Sequence, residues 1–258
     1  MAWKPSIALR NYMLETGTFK QAMSNCFIKF YTGSQPATAE AAPTGSLLVT
    51  FSDSSGTPTR EVYATGSVAL TGGASGSVNT ITVNSIEIMG SATSFNTSLT
   101  QTASDICDKI NNNPKNLLFT ASNNSTATIT ITAKPGLGSL ANSWTVASTV
   151  TTITKTDTSM SGGVTAVNGL NWGDAAAGVL TKLSTQTWSG IATATGTAGW
   201  FRMEASVNDV GALDSSEAVM RADGAIATSG AEYNMSNLSI VTGVAQTIQS
   251  FAITLPTA

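Results

Sequence analysis

The chain has 258 residues, 41% of them hydrophobic and only 10% charged, with a formal net charge of −3. That length holds one large all-β domain or two smaller ones, and the apolar share is enough for a sizeable core. With charge far below the usual share of roughly 25%, no basic run and no apolar stretch of roughly 18 residues, the composition argues against nucleic-acid capture and against a membrane-spanning helix.

Thr, Ser, Ala and Gly fill the gap, which suits strands and tight turns and leaves little net charge to hold copies apart. The start, MAWKPSIALRNYMLETG, lacks the apolar core and small-residue cleavage site of a signal peptide, so synthesis in a cytoplasm is the expectation. Pro5 fits the first position of a helix over Ser6–Glu15, with Gly17 just past its end. Ile7, Leu9, Tyr12, Met13 and Leu14 are too apolar for a solvated helix, so it docks on its own sheet or on a neighbouring subunit. A second helical turn is predicted over Thr18–Ser24.

Cys26–Tyr31 reads as a strand with Cys26, Ile28 and Phe30 on one face and Lys29 on the other. The loop Thr32–Ser46 carries Gly33, Pro36, Pro43 and Gly45, and proline keeps it from joining a ladder throughout. Leu47–Phe51 returns as a strand, Asp53–Gly56 turns, and Glu61–Leu70 supplies a further strand of the same sheet. Thr71–Gly73 and Ser161–Gly163 then read as flexible joints around a separate unit. Inside it, Ile81 to Met89 is a strand. Ala103, Ile106, Cys107 and Ile110 mark one buried stripe of a helix starting near Thr102 and closed by Pro114. Leu117–Ser122, Thr128–Ala133 and Trp144–Ile153 are strands, giving the order β-α-β-β-β. Cys26 and Cys107 lie in different units and read as free, buried thiols.

After Gly169 the first texture resumes, with strands at Val179–Leu183 and Ile191–Thr195. Trp200–Val207 alternates, with Phe201, Met203, Ala205 and Val207 inward and Trp200, Arg202 and Glu204 outward, as a half-buried antiparallel strand does. Turns are predicted at Asn208–Gly211 and Asp223–Gly224, and a last strand at Thr247–Leu255. The fold class is therefore mainly β. An antiparallel β-sandwich or jelly-roll-like outer domain, residues 1–70 plus 170–258 with an N-terminal helical arm, would carry an inserted small α+β domain at 71–169.

No constellation for catalysis stands out. The chain has no histidine, so the commonest general base and metal ligand are missing. Glu204, Asp209, Asp214, Glu217 and Asp223 are the carboxylates that glycosidase chemistry or calcium would need, but they fall mostly in predicted turns, where Asp serves the backbone. No catalytic, cofactor or metal residue is assigned.

The run IKFYTGSQPATAEAAPTGSLLVTF resembles a strand–loop–strand pattern of tailed-bacteriophage structural proteins, in which "IkiYtGtqPasAd-a-tGtlL" follows a short helical start. The closing ATGTAGWFRMEAS and SGAEYNMSNLSIVTGVAQTIQSFAITLP are similar to the end of the same family, and the middle of the chain to small domains inserted in virion proteins. The resemblance implies a non-enzymatic virion protein made in a bacterial host, without cofactor. Packing in many copies as a capsid decoration or cement protein is the first reading; a tail, neck or baseplate component, or a module for host-surface glycan, is the second. The implied partners are other virion proteins and further copies of the chain, with no nucleic acid and no membrane. Subunit contacts are expected at Ile7, Tyr12, Met13, Leu14, Tyr31, Pro36 and Pro43.

Overall fold

The structure, a computed structural model, describes residues 3–207 and 209–254. It opens with β1 (Lys4–Pro5), α1 (Ile7–Asn11), a π-helical turn at Tyr12–Thr16, α2 (Phe19–Ala22), β2 (Phe27–Thr32) and β3 (Leu47–Asp53). The middle holds β4 (Thr65–Gly72), β5 (Ser77–Val83), β6 (Ile86–Glu87), β7 (Thr93–Ser94), α3 (Leu99–Asn112), β8 (Phe119–Ser122), β9 (Thr128–Ala133), β10 (Val146–Thr151) and β11 (Thr154–Ser161). The last part adds β12 (Val179–Thr181), β13 (Trp188–Ile191), β14 (Gly196–Glu204), β15 (Arg221–Ala227), β16 (Tyr233–Asn234), β17 (Ser239–Ile240), β18 (Ala245–Ile248) and β19 (Ala252–Thr254). The fold is mainly β and its sheets are antiparallel, apart from the parallel β15–β16 pair. Among the described residues no helix is long and apolar enough to cross a membrane.

Two compact units emerge, Met1–Arg60 with Ala166–Ala258, and Glu61–Thr165. The expected boundaries at 71 and 169 move because β4 pairs with β9 and β11, all within the second unit. For the same reason neither glycine pair is a joint: Gly72 and Ser161 lie within the β4–β11 ladder.

The first unit is built on a nine-stranded sheet in the order β1-β15-β14-β2-β3-β13-β18, with β16 beside β15 and β17 beside β14. One face carries Ile28 and Phe30 from β2, Val49 and Phe51 from β3, and Phe201 and Met203 from β14. Leu9 and Met23 from the helical segments close over it, together with Trp172, Leu180 from the β12–β19 ribbon, and Phe251. This is a sandwich whose smaller layer is a ribbon plus helical turns. Two glycines let backbone and ring approach the sheet. At the β14 bulge, a Cβ on Gly199 would stand 1.9 Å from the Gly33 carbonyl oxygen, and one on Gly224 would stand 2.5 Å from the Phe201 ring.

Several elements differ from the sequence expectation. Pro5 pairs with Ala222 in β1, and Ser6 caps α1 by accepting from the Leu9 amide. Strand β15 runs straight through Asp223–Gly224, which is therefore no turn. Strand β13 ends at Ile191, where a strand was expected to begin, and the predicted last strand is broken between β18 and β19. Leu255 of that strand and Asn208 of the predicted turn lie outside the described residues.

In the second unit, β10, β5 and β6 form one sheet with β7 against β5, and β11, β4, β9 and β8 form another. Asn84 and Ser85, at φ of 49° and 66°, turn the predicted Ile81–Met89 strand into a tight β5–β6 hairpin. Helix α3 buries Thr102, Ala103, Ile106, Cys107 and Ile110, the predicted stripe plus the residue expected to start it. Its cap is Ser98, whose hydroxyl accepts from the Gln101 amide at 3.1 Å, while Thr102 turns inward. Ser98→Ala should lower the stability of this unit by about 1 kcal/mol, read as a shifted denaturant midpoint; no shift would remove the cap from the account. Strand β11 is unannounced in the sequence because Lys155, Asp157 and the threonines around them give it no apolar alternation.

Candidate functional site

Around β14 and β15 the second face of the large sheet is not solvated. Arg202, Glu204 and Asp223 are wholly buried there, and Arg221 is nearly so. This corrects the half-buried reading of β14, whose outward set Trp200, Arg202 and Glu204 is covered by the chain itself. Register places Lys29, Arg202 and Asp223 in one cross-strand row, and Phe27, Glu204 and Arg221 in the next.

The charges in these rows pair almost completely. Arg202 donates Nε and Nη2 to the two oxygens of Asp223 at 2.8 and 2.7 Å, and Arg221 donates Nε to Asp209 Oδ2 at 2.6 Å and Nη2 to Oδ1 at 2.5 Å. Glu204 accepts from Lys29 Nζ at 2.8 Å and from Arg60 Nη2 at 2.5 Å. Paired forks of this kind are what make buried charge tolerable, since an isolated ion in the interior loses its hydration without return.

The remaining guanidinium N–H groups reach backbone. Arg202 Nη1 donates to Ala41 O, and Arg221 Nη1 to Ala39 O and Glu40 O. Arg221 Nη2 also donates to Ala212 O, and Arg60 Nη1 to Ala205 O and Val207 O. Lys4 Nζ donates to Pro36 O at 2.7 Å, and the Trp200 indole to Thr44 O at 3.2 Å. The face thus works as a clamp. Proline and small residues leave the 33–46 loop without a ladder of its own, so side chains of β14 and β15 satisfy its carbonyls instead.

The expected contact residues separate under this geometry. Tyr31 is buried, stacked on Trp200 with centroids 4.5 Å apart, and Pro36 is buried under the clamp. Neither is available to a neighbour, because the 33–46 loop folds back over the sheet instead of standing off it. Ile7, Tyr12, Met13 and Pro43 are half-buried; Tyr12 and Met13 pack on the core and the Ile7 amide donates to Glu40 Oε1 at 2.6 Å. Only Leu14, at 83% exposed, stands wholly free. The amino-terminal helix is consequently part of the fold and not a detachable arm: Leu9 is fully buried and Ser6 Oγ both donates to Val219 O and accepts from the Arg221 amide.

The sequence reading missed Val210 and Leu213, which are 83% and 66% exposed. They flank Gly211 in a segment fixed by the Arg221–Asp209 fork, by Arg221 to Ala212 O and by the Asp214 amide donating to Glu40 O at 2.8 Å. An apolar pair beside a glycine between two aspartates was the available signal.

Four of the five singled-out carboxylates have structural work. Glu204 and Asp223 are strand residues, not turn residues, and Asp214 accepts from the Val219 amide and the Ser216 hydroxyl. Glu217 is exposed at a positive φ of 54°. Among the described residues no three Asp, Glu, Cys or His side chains are placed to share a metal ion. Cys26 and Cys107 are free and buried, and burial pushes their thiols up to about 12 and about 11.

Burial raises the Asp209 carboxyl, but the Arg221 fork and the Gly211 amide outweigh it and hold Asp209 below the usual range. Asp214 and Glu40 are likewise held low against burial, by the Val219 and Ala218 amides and by the Ile7 amide respectively. Asp223 moves the other way, burial outweighing the Arg202 fork. For the three depressed groups the stabilisation is complete above the ordinary carboxylate pKa near 4 and is lost as pH falls through the lower folded values. Asp223 contributes most below its unfolded value and less as pH rises. With three groups against one, acidification from pH 7 to about 3 should release the 36–43 and 209–219 segments first, read as lost amide-exchange protection there; uniform loss across the sheet would contradict the clamp.

No family model, no curated protein and no solved structure matches the chain.

Proposed function

We propose that the chain is a non-enzymatic structural protein of a tailed-bacteriophage virion, packing in many identical copies on the particle as a decoration or cement protein. The sequence resemblance is what supports the class. The observation that carries the contact is the pair Val210 and Leu213, two exposed apolar side chains on a backbone clamped from beneath. A clamped segment has little conformational freedom left to lose on docking, so burying these side chains against a shell subunit returns most of its transfer free energy. Burial of each is worth about 1.5–3 kcal/mol, and repetition over a symmetric lattice multiplies weak single contacts into stable attachment.

The test is Val210→Asp with Leu213→Asp in the full chain, scored by copy number on purified particles. Surface changes of this kind leave stability within about 0.5 kcal/mol, so a folded chain with at least about tenfold fewer copies per particle is the expected result. Unchanged incorporation would reject this face. Copies on capsid lattice axes fit the decoration reading, and a ring on the particle axis would replace it with a tail or neck role.

A further inference from the structure

The first unit also holds a groove that the clamp does not use. Two clefts of about 740 and 570 Å³ adjoin beside β16 and the β18–β19 link, sharing Tyr233, Asn234, Thr247, Gln249 and Ser250 in their lining. Its floor is a packed aromatic set. Tyr233 stacks on Phe251 at 5.6 Å and 19°, and Phe251 lies against Trp188, which crosses Trp172 at 90°. Trp188 and Phe251 are buried, whereas Tyr233 is half-buried, packed also on Phe30, and borders both clefts.

The walls are neutral. Thr247, Gln249 and Ser250 are exposed amide and hydroxyl side chains on one side, and the second cleft has no ionisable wall apart from the Tyr233 phenol. The first cleft contains Lys182 and Glu232, and both are engaged internally: Lys182 Nζ donates to Gln186 O at 2.8 Å and sits over the Trp188 ring, and Glu232 accepts from the Ala225 amide at 2.8 Å. Lys182 and Glu232 are of opposite sign, so the lining offers a phosphate-bearing or strongly ionic ligand no net charge. Met235, Val241 and Val244 interrupt the hydroxyl and amide side chains of the second cleft, so polar and apolar patches alternate along the wall. A ligand that is neutral, rich in hydroxyls and elongated, with apolar C–H faces for the tyrosine ring, matches both wall and floor.

We infer that this groove binds a neutral oligosaccharide, with Tyr233 as the stacking platform and Gln249 and Thr247 as hydrogen-bonding partners. The site lies in the first unit, and it stands whether or not the chain assembles on a particle. The test uses the full chain against neutral hexose and N-acetylhexosamine oligosaccharides, with uronic-acid and sialylated ones as comparison, by glycan array and then calorimetry. Binding to a neutral member should weaken at least tenfold in Tyr233→Ala and in Gln249→Ala/Thr247→Ala, and should change less than about twofold between 50 and 500 mM salt. The second variant alters only exposed side chains, so its fold is secure even where Tyr233→Ala loosens the core. Absence of any neutral binder, unchanged affinity in the Gln249/Thr247 variant, or a preference for acidic sugars that salt abolishes would each overturn the inference.

Discussion

Arg202→Met should destabilise the first unit by about 3–5 kcal/mol, and adding Asp223→Leu should restore most of that loss. Removing the guanidinium leaves Asp223 fully buried without its fork and strips the Ala41 carbonyl of its donor. The first is an uncompensated charge and the second an unsatisfied acceptor, and both are costlier than the pair is valuable. Replacing both partners by apolar groups of similar size removes the charge as well as its counter-charge, which is why the double variant should recover. The recovery should be incomplete in one respect: Ala41 still lacks a donor, so the 33–46 loop should stay more open to proteolysis than in the parent. Equilibrium denaturation reads the energies and limited proteolysis reads the loop. A double variant as unstable as Arg202→Met alone would mean that shape, not charge pairing, holds this face.

Trp188→Ala should cost about 3–5 kcal/mol, from lost transfer free energy and the cavity left behind. Trp188 is fully buried at the start of β13, between β3 and β18, in ring contact with Trp172 and Phe251, and its indole donates to Gln186 Oε1 at 3.2 Å. The rings around it come from segments that make no ladder with each other, so no strand pairing can close the gap. Trp188→Phe keeps most of the apolar volume and loses the hydrogen bond, and should cost about 1–2 kcal/mol. Equal losses for the two substitutions would show that the indole N–H, and not the packing, sets the contribution.

Much of the first sheet was legible in the residues. Cys26, Ile28 and Phe30 alternate in the sequence and all three are buried together, and the Ala103, Ile106, Cys107, Ile110 stripe faces the core of its unit. These are local periodicities, and local geometry enforces them. The second face of the sheet was not legible, because Arg202 and Glu204 occupy the positions that alternation assigns to water. What buries them is a loop returning across the strand, and their partners Asp223 and Arg60 lie 21 and 144 positions away in sequence. The glycine pairs misled for a related reason: Gly72 carries on a ladder that a pattern of small residues cannot reveal. The groove was equally hidden, since its walls come from three segments whose polar side chains read singly as turn and edge residues. The exposed pair Val210 and Leu213 was visible, and was passed over because its flanking aspartates and glycine spelled a turn.

The central claim is that the chain works by fixed attachment in many copies to a larger assembly. Quantitative mass spectrometry of purified particles, with image reconstruction to place the bound copies, measures it most directly. The account predicts a copy number that is a multiple of the particle's symmetry, with Val210 and Leu213 covered at every site. A chain absent from purified particles and monomeric when isolated would contradict it.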